Sequence, residues 1–256
     1  MLWSMAVGFF FGAVLLILES CYGAEIINGN AVDPRLMPYM TLLETSKGPC
    51  GGTLIDPQWV LTAAHCVQVK KVQLGMHSIK QPEQVQGIKT SVPHPCFNEH
   101  EKVNDLMLLK LKKRVKETDL VKPLRLSETI TDPPAGRRCL VAGWGLTDSS
   151  SKKISDVLMA ANVTVIDRRK CNSEKYYNYN PVITLNMICA GSDGGKPADT
   201  CKGDSGGPLM CDNKLVGVTS SGGNPCGQIH KPGVYSFLSK AQLAWINKTM
   251  KKYHEI

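Results

Sequence analysis

The strongest constraint on the fold of this chain is its punctuation. Short apolar or β-branched runs at 52–55, 59–62, 71–74, 106–111, 139–142, 163–166 and 215–219 alternate with turns rich in Gly, Pro, Ser and Asp. Such runs are too short for ordinary helices, and their spacing predicts an all-β chain of many brief strands. At 256 residues, 43% hydrophobic, the chain can bury one substantial domain of one or two lobes. That composition excludes disordered and collagen-like classes. Residues 123–134 begin and end on proline and read as a connection between halves. Only 239–252 places Leu243, Ile246 and Met250 at helical spacing, which predicts one C-terminal α-helix.

The N-terminus carries an uncharged apolar run at 5–18, followed by Glu19, Cys21 and Gly23. A membrane span needs about 20 apolar residues, and Cys21-x-Gly23 offers the small-x-small pattern of a cleavage site. Residues 1–23 therefore read as a signal peptide, with a retained anchor as the rival reading. Export implies an oxidising compartment. Of the 10 cysteines, Cys21 leaves with the signal, so an odd number remains and one must be free or intermolecular. Sequons at Asn162-Val163-Thr164 and Asn247-Lys248-Thr249 become candidate glycosylation sites in an exported chain.

Lys and Arg outnumber Asp and Glu 30 to 22, a formal net charge of +8. The bases cluster at 70–71, 110–116, 137–138, 152–153, 168–170 and 251–252. Neither aromatic interleaving nor zinc-finger spacing accompanies them, so specific nucleic-acid binding is not indicated. A field of this sign concentrates polyanions such as heparin and sulfated proteoglycan. A merely solvated basic surface is the alternative.

Three segments carry chemistry: Leu61-Thr62-Ala63-Ala64-His65-Cys66, Asn104-Asp105-Leu106-Met107 and Gly203-Asp204-Ser205-Gly206-Gly207-Pro208. A serine hydroxyl is a poor nucleophile at neutral pH. It needs an imidazole to take its proton, and the imidazole needs a carboxylate to fix its tautomer. Taken singly, each residue has a structural reading: a packed histidine, an aspartate at a strand start, a serine in a Gly-rich turn. Together, in the order His, Asp, Ser, they form a candidate catalytic triad.

From Ile26 to the C-terminal helix, these segments resemble the chymotrypsin/trypsin family of serine peptidases. The resemblance implies two packed antiparallel β-barrels with a C-terminal α-helix over 26–256, the lobes joining near 112–134. It implies Ser205 as nucleophile, His65 as general base then acid, and Asp105 as the orienting carboxylate. The backbone N–H groups of Gly203 and Ser205 would form the oxyanion hole, and no metal or organic cofactor is expected. Asp199 matches the base of the primary pocket, with Ser220, Gly222 and Gly233 along its walls. A carboxylate buried there demands a cationic partner, so cleavage after Arg or Lys is expected.

Ile26-Ile27-Asn28-Gly29 resembles the family's mature N-terminus, whose freed ammonium pairs with the aspartate before the serine, here Asp204. Asn28 stands where Gly is more usual. Ala24-Glu25 would then be an activation dipeptide of the kind a dipeptidyl peptidase removes from granule-stored peptidases of lymphocytes and mast cells. Family bridges carry over as Cys50–Cys66, Cys139–Cys211, Cys171–Cys189 and Cys201–Cys226. Cys96, left over in the Pro-rich 93–97 loop, is expected to link two copies into a homodimer. Within the family, 162–168, Cys171-Asn172 and 177–190 resemble the granzymes, which implies a secreted enzyme of cytotoxic lymphocyte granules. Rival readings are an extracellular trypsin-like peptidase and a heparin-binding pseudo-peptidase. Lys202, beside the oxyanion hole, is expected to favour acidic residues on the leaving side of the scissile bond.

Overall fold

A computed structural model describes residues 26–27, 29–146, 153–192 and 198–254. The signal and dipeptide readings, Asn28 and Lys152 lie outside the described residues. After a two-residue strand, β1 (Asn30–Ala31), come β2 (Met40–Thr45), β3 (Gly48–Asp56), β4 (Trp59–Thr62), β5 (Val69–Met76), β6 (Pro82–Pro93) and β7 (Met107–Leu111). The second half holds β8 (Arg138–Gly143), β9 (Met159–Ile166), β10 (Met187–Gly191), β11 (Pro208–Cys211), β12 (Lys214–Ser221) and β13 (Gly233–Phe237). Two helices, α1 (Arg168–Asn172) and α2 (Lys240–His254), complete it.

The first half closes into a barrel in the order β2-β3-β4-β7-β6-β5. The second runs β9-β10-β13-β12-β11-β8, and pairing of β8 with β9 closes the ring while β1 adds to the outside of β9. All pairings are antiparallel, and the chain between Leu111 and Arg138 joins the barrels without a named strand. This is the two-barrel architecture with a C-terminal helix expected from the family resemblance.

Each barrel buries its own apolar set. Trp59, Leu61, Leu74, Leu106 and Leu108 fill the first, and Val141, Val163, Ile188, Leu209 and Tyr235 the second. Ile26, at the head of the described chain, is completely buried in the second cluster. The apolar face of α2 sets Leu243 and Ile246 into the first barrel's core. Lys110 is drawn into this contact. Its ammonium donates to the Tyr253 carbonyl and lies 5.9 Å from the centre of the Trp59 ring, so one member of the 110–116 basic cluster is not a surface charge at all.

The seam between the barrels decides where the chemistry can sit. A Cβ on Gly51 of β3 would come within 3.1 Å of the Gly207 backbone. Without side chains there, the two backbones touch, and the Gly51 N–H donates to the Ser205 carbonyl at 2.7 Å. That contact brings the serine segment of one barrel against the histidine segment of the other.

Candidate active site

His65 sits in the turn after β4, where the Cys50–Cys66 disulfide ties it back to β3. Asp105 precedes β7 and is completely buried. Its Oδ1 accepts the His65 backbone N–H at 2.9 Å, and its Oδ2 lies 2.6 Å from His65 Nδ1. These two contacts fix both the backbone and the ring, which leaves Nε2 on the open side. A third comes from Ser220, whose hydroxyl donates to the same Oδ2 at 2.6 Å. The Ser236 hydroxyl also donates to the Asp105 carbonyl, at 3.2 Å. A buried carboxylate supplied with several donors is held ready to orient an imidazole.

Ser205 lies in a tight turn closed by Asp204 N–H to Cys201 carbonyl (3.0 Å) and Gly207 N–H to Asp204 carbonyl (2.9 Å). It is partly exposed on a cleft of about 410 Å³ that it shares with His65. Gly203 adopts φ +103°, and a Cβ there would come within 2.9 Å of the Gly145 Cα. Only glycine fits that turn without strain. Among the described residues, the N–H groups of Gly203 and Ser205 have no hydrogen-bond acceptor. Two N–H groups without a protein acceptor are what an oxyanion hole would require.

Asp199 is almost wholly buried. Its carboxylate accepts the Thr200 N–H at 2.8 Å and the Gly227 N–H at 3.1 Å. Burial pushes it up to about 7, against the opposing pull of these donors. A Cβ on Gly222 would reach 4.0 Å from one Asp199 oxygen, and one on Gly233 would reach 3.0 Å from the other. Both glycines therefore face the carboxylate. Gly222, Thr200, Ser220 and Ser205 line a pocket of about 250 Å³. The Ser220 hydroxyl thus lies on the pocket and also serves Asp105 from behind.

Asp204 is fully buried and accepts the N–H groups of Gly145 (2.7 Å) and Cys201 (2.9 Å). Burial pushes it up to about 6. No side-chain cation pairs with it among the described residues. Cysteines are bonded as Cys50–Cys66, Cys139–Cys211, Cys171–Cys189 and Cys201–Cys226. The last ties the Ser205 turn to the pocket wall. Cys96 is free and exposed, and Asn162 on β9 and Asn247 on α2 are exposed. Sequence reasoning missed the Gly145, Thr200 and Gly227 donors, since a backbone N–H leaves no signature in residue type.

The comparisons with known proteins agree with this geometry. The family described as Trypsin matches residues 26–246. Granzyme A of Bos taurus is 47% identical over 237 residues, covering 90% of this chain and 89% of the relative. Kallikrein-8 of Mus musculus is 39% identical over 241 residues, covering 91% and 89%. The solved structure of neuropsin, a serine protease expressed in the limbic system of mouse brain, superposes with a TM-score of 0.78. It shares 40% identity over 87% of this chain and 99% of its own. Agreement of this breadth, running from the buried Ile26 across both barrels and into α2, makes the chain a member of the trypsin family of serine endopeptidases.

Proposed function

We propose that the protein is a secreted tryptic endopeptidase that cleaves after Arg or Lys through an acyl-enzyme on Ser205. The observation that carries the specificity is the buried Asp199 carboxylate facing the side-chain-free Gly222 and Gly233, beside Ser205. A cationic side chain entering there supplies the charge that the two N–H donors only partly offset.

In this mechanism His65 Nε2 takes the Ser205 hydroxyl proton as the serine oxygen bonds to the scissile carbonyl carbon. The carbonyl oxygen gains the negative charge and is held by the Gly203 and Ser205 N–H groups. His65 returns the proton to the leaving amine as the peptide C–N bond breaks. Water then attacks the acyl ester with His65 again as base, releasing the acid and the free Ser205 hydroxyl. Asp105 stays ionised, holding the ring through Nδ1. Cleavage ahead of Ile26 frees an ammonium beside the second barrel, where the buried Asp204 has no side-chain cationic partner among the described residues, and a dipeptidyl peptidase acting on Ala24-Glu25 is the proposed activator.

The physiological reading is a granzyme A-like role in cytotoxic lymphocyte granules, supported by the identity to granzyme A and by the acidic dipeptide. Storage on sulfated proteoglycan is supported by the net charge of +8, a Cys96-linked homodimer by its exposed thiol, and glycans at Asn162 and Asn247 by their exposure. Two finer readings compete. Asp56-Pro57-Gln58-Trp59 and Thr200-Cys201-Lys202-Gly203 resemble granzyme K as much as granzyme A, and the kallikrein-8 match supports another trypsin-like peptidase, for which the sequence offers an extracellular reading.

The chain beginning at Ile26 is tested on matched peptides with Arg, Lys, Phe or Leu before the scissile bond. Turnover of the Arg and Lys peptides, lost in Ser205→Ala, is expected. Equal turnover of Phe would discard Asp199 as the selector, and none at all would favour a heparin-binding pseudo-peptidase. Cys96→Ser is expected to shift a dimer band on a non-reducing gel to monomer mass; a wild-type monomer band refutes the covalent dimer.

A further inference from the structure

Two cavities meet at Ser205. One, of about 250 Å³, leads past Gly222 toward Asp199 and receives the residue before the scissile bond. The other, of about 410 Å³, opens from the same serine along the Cys50–Cys66 disulfide and is walled by Pro49, Leu146 and Ile154. If the first holds the acyl side of a substrate, the second holds the leaving side, because the chain must pass the nucleophile between them.

That second cleft has an uneven charge. Lys47, on the hairpin end between β2 and β3, and Lys202, beside Gly203, both line it and are both exposed. Neither makes an ion pair among the described residues. The nearby Glu44 is already held by Lys71 at 2.9 Å, and Asp105 is sealed behind His65. Among the described residues, no carboxylate lines the cleft. Two lysines line it from opposite barrels, with no described residue of opposite sign between them.

We propose that Lys47 and Lys202 form a leaving-side subsite that selects substrates with Asp or Glu in the first two positions after the cleaved bond. This rests on the tryptic reading of the site and narrows its substrate class to a basic residue followed by acidic ones. The pairs are solvent-accessible, so each contributes modestly, and together they raise kcat/KM for an acidic leaving side about fivefold over a neutral one. Screening diminishes the advantage at high salt, where the Debye length falls from about 10 Å at 0.1 M to about 3 Å at 1 M.

The experiment uses the chain beginning at Ile26 with peptides sharing an Arg acyl side and carrying Ala-Ala, Glu-Ala, Ala-Glu or Ala-Lys after the scissile bond. An Arg anilide, which has no residues on the leaving side, is run on the same preparation. The expected result is faster cleavage of both Glu peptides, slower cleavage of the Lys peptide, and an acidic-to-neutral ratio that falls in Lys47→Ala and Lys202→Ala and reaches about one in the double variant. Equal rates for Glu and Ala peptides overturn the subsite while anilide turnover leaves the tryptic reading standing. A preference that survives in the double variant also overturns it. Failure to turn over the anilide overturns the tryptic reading and the subsite with it.

Discussion

In the proposed reading, the buried Asp199 carboxyl links stability to recognition. Its unfolded-state value is 3.8, and burial pushes it up to about 7 in the folded chain. Between those values the folded state keeps a proton that the unfolded state has lost, so its contribution to stability is fullest below 3.8 and falls as pH rises toward 7. Binding of a cation runs the other way. Benzamidine affinity is expected to rise with pH through about 7 and then level off, and Asp199→Asn is expected to abolish the binding and flatten that part of the stability profile. Titration calorimetry and thermal melts across pH 4 to 9 read both. At Ser220, removing the hydroxyl takes away a charge-assisted hydrogen bond, a type worth about 1.5–3 kcal/mol. Ser220→Ala is therefore expected to lower kcat about tenfold or more at similar KM, measured on an Arg peptide.

His65, Asp105 and Ser205 are legible in the sequence because their flanking residues are as constrained as they are: small residues at the barrel seam, glycines in the serine turn. The Ser220 bond to Asp105 spans 115 residues and joins residue types with many other uses, so only the folded chain reveals it. Lys202 could be placed beside the proposed oxyanion hole from its neighbour Gly203. Lys47 could not, since nothing local says that the β2–β3 hairpin folds over the leaving side.

At the scale of elements, legibility follows unbroken apolar or β-branched runs rather than burial alone, since β2, β10, β11 and β13 are buried along nearly their whole length and yet fall outside the runs read from the sequence. The runs at 59–62 and 106–111 fall in or against β4 and β7, whose residues are all buried. β6 escaped notice because Pro82–Pro93 is polar and mostly exposed or half-exposed, and its strand character comes from pairing with β5 and β7 on either side. The C-terminal helix expected at 239–252 runs Lys240–His254, with Leu243 and Ile246 inward. α1 is a single capped turn, too short to show a period, in which Asp167 accepts the Arg169 and Lys170 N–H groups. The serine turn has its own test. Gly203→Ala places a Cβ within 2.9 Å of Gly145 at φ +103°, and strain of this kind costs about 1–3 kcal/mol. The variant is expected to melt at lower temperature and to lose acylation rate by about 10²-fold or more as the oxyanion donor moves. An unchanged rate would separate Gly203 from the oxyanion hole.

Over the whole molecule, two barrels meet at a glycine seam, and in the proposed reading function also depends on a new N-terminus at Ile26. In that reading the ammonium freed at Ile26 pairs with Asp204, whose burial pushes it up to about 6. The chain starting at Ile26 is expected to exceed the Ala24 form in kcat/KM by about 10²-fold or more, through the same electrostatic preorganisation that forms the oxyanion hole. Asp204→Asn is expected to remove that difference. Both are read with an Arg anilide. Breaking Cys201–Cys226, which braces the serine turn against the pocket wall, is expected to cost about 2–5 kcal/mol, read by denaturant unfolding. The most direct test of the central claim is intact and peptide mass spectrometry of the Ile26 chain after exposure to a peptidyl-arginine diphenyl phosphonate, in which the Ser205 oxygen bonds phosphorus and phenoxide leaves. One adduct on the Ser205 peptide, absent from His65→Ala and absent with the phenylalanine phosphonate, is the predicted result. A folded Ile26 chain that takes up no adduct, or takes up the phenylalanine reagent equally well, would contradict it.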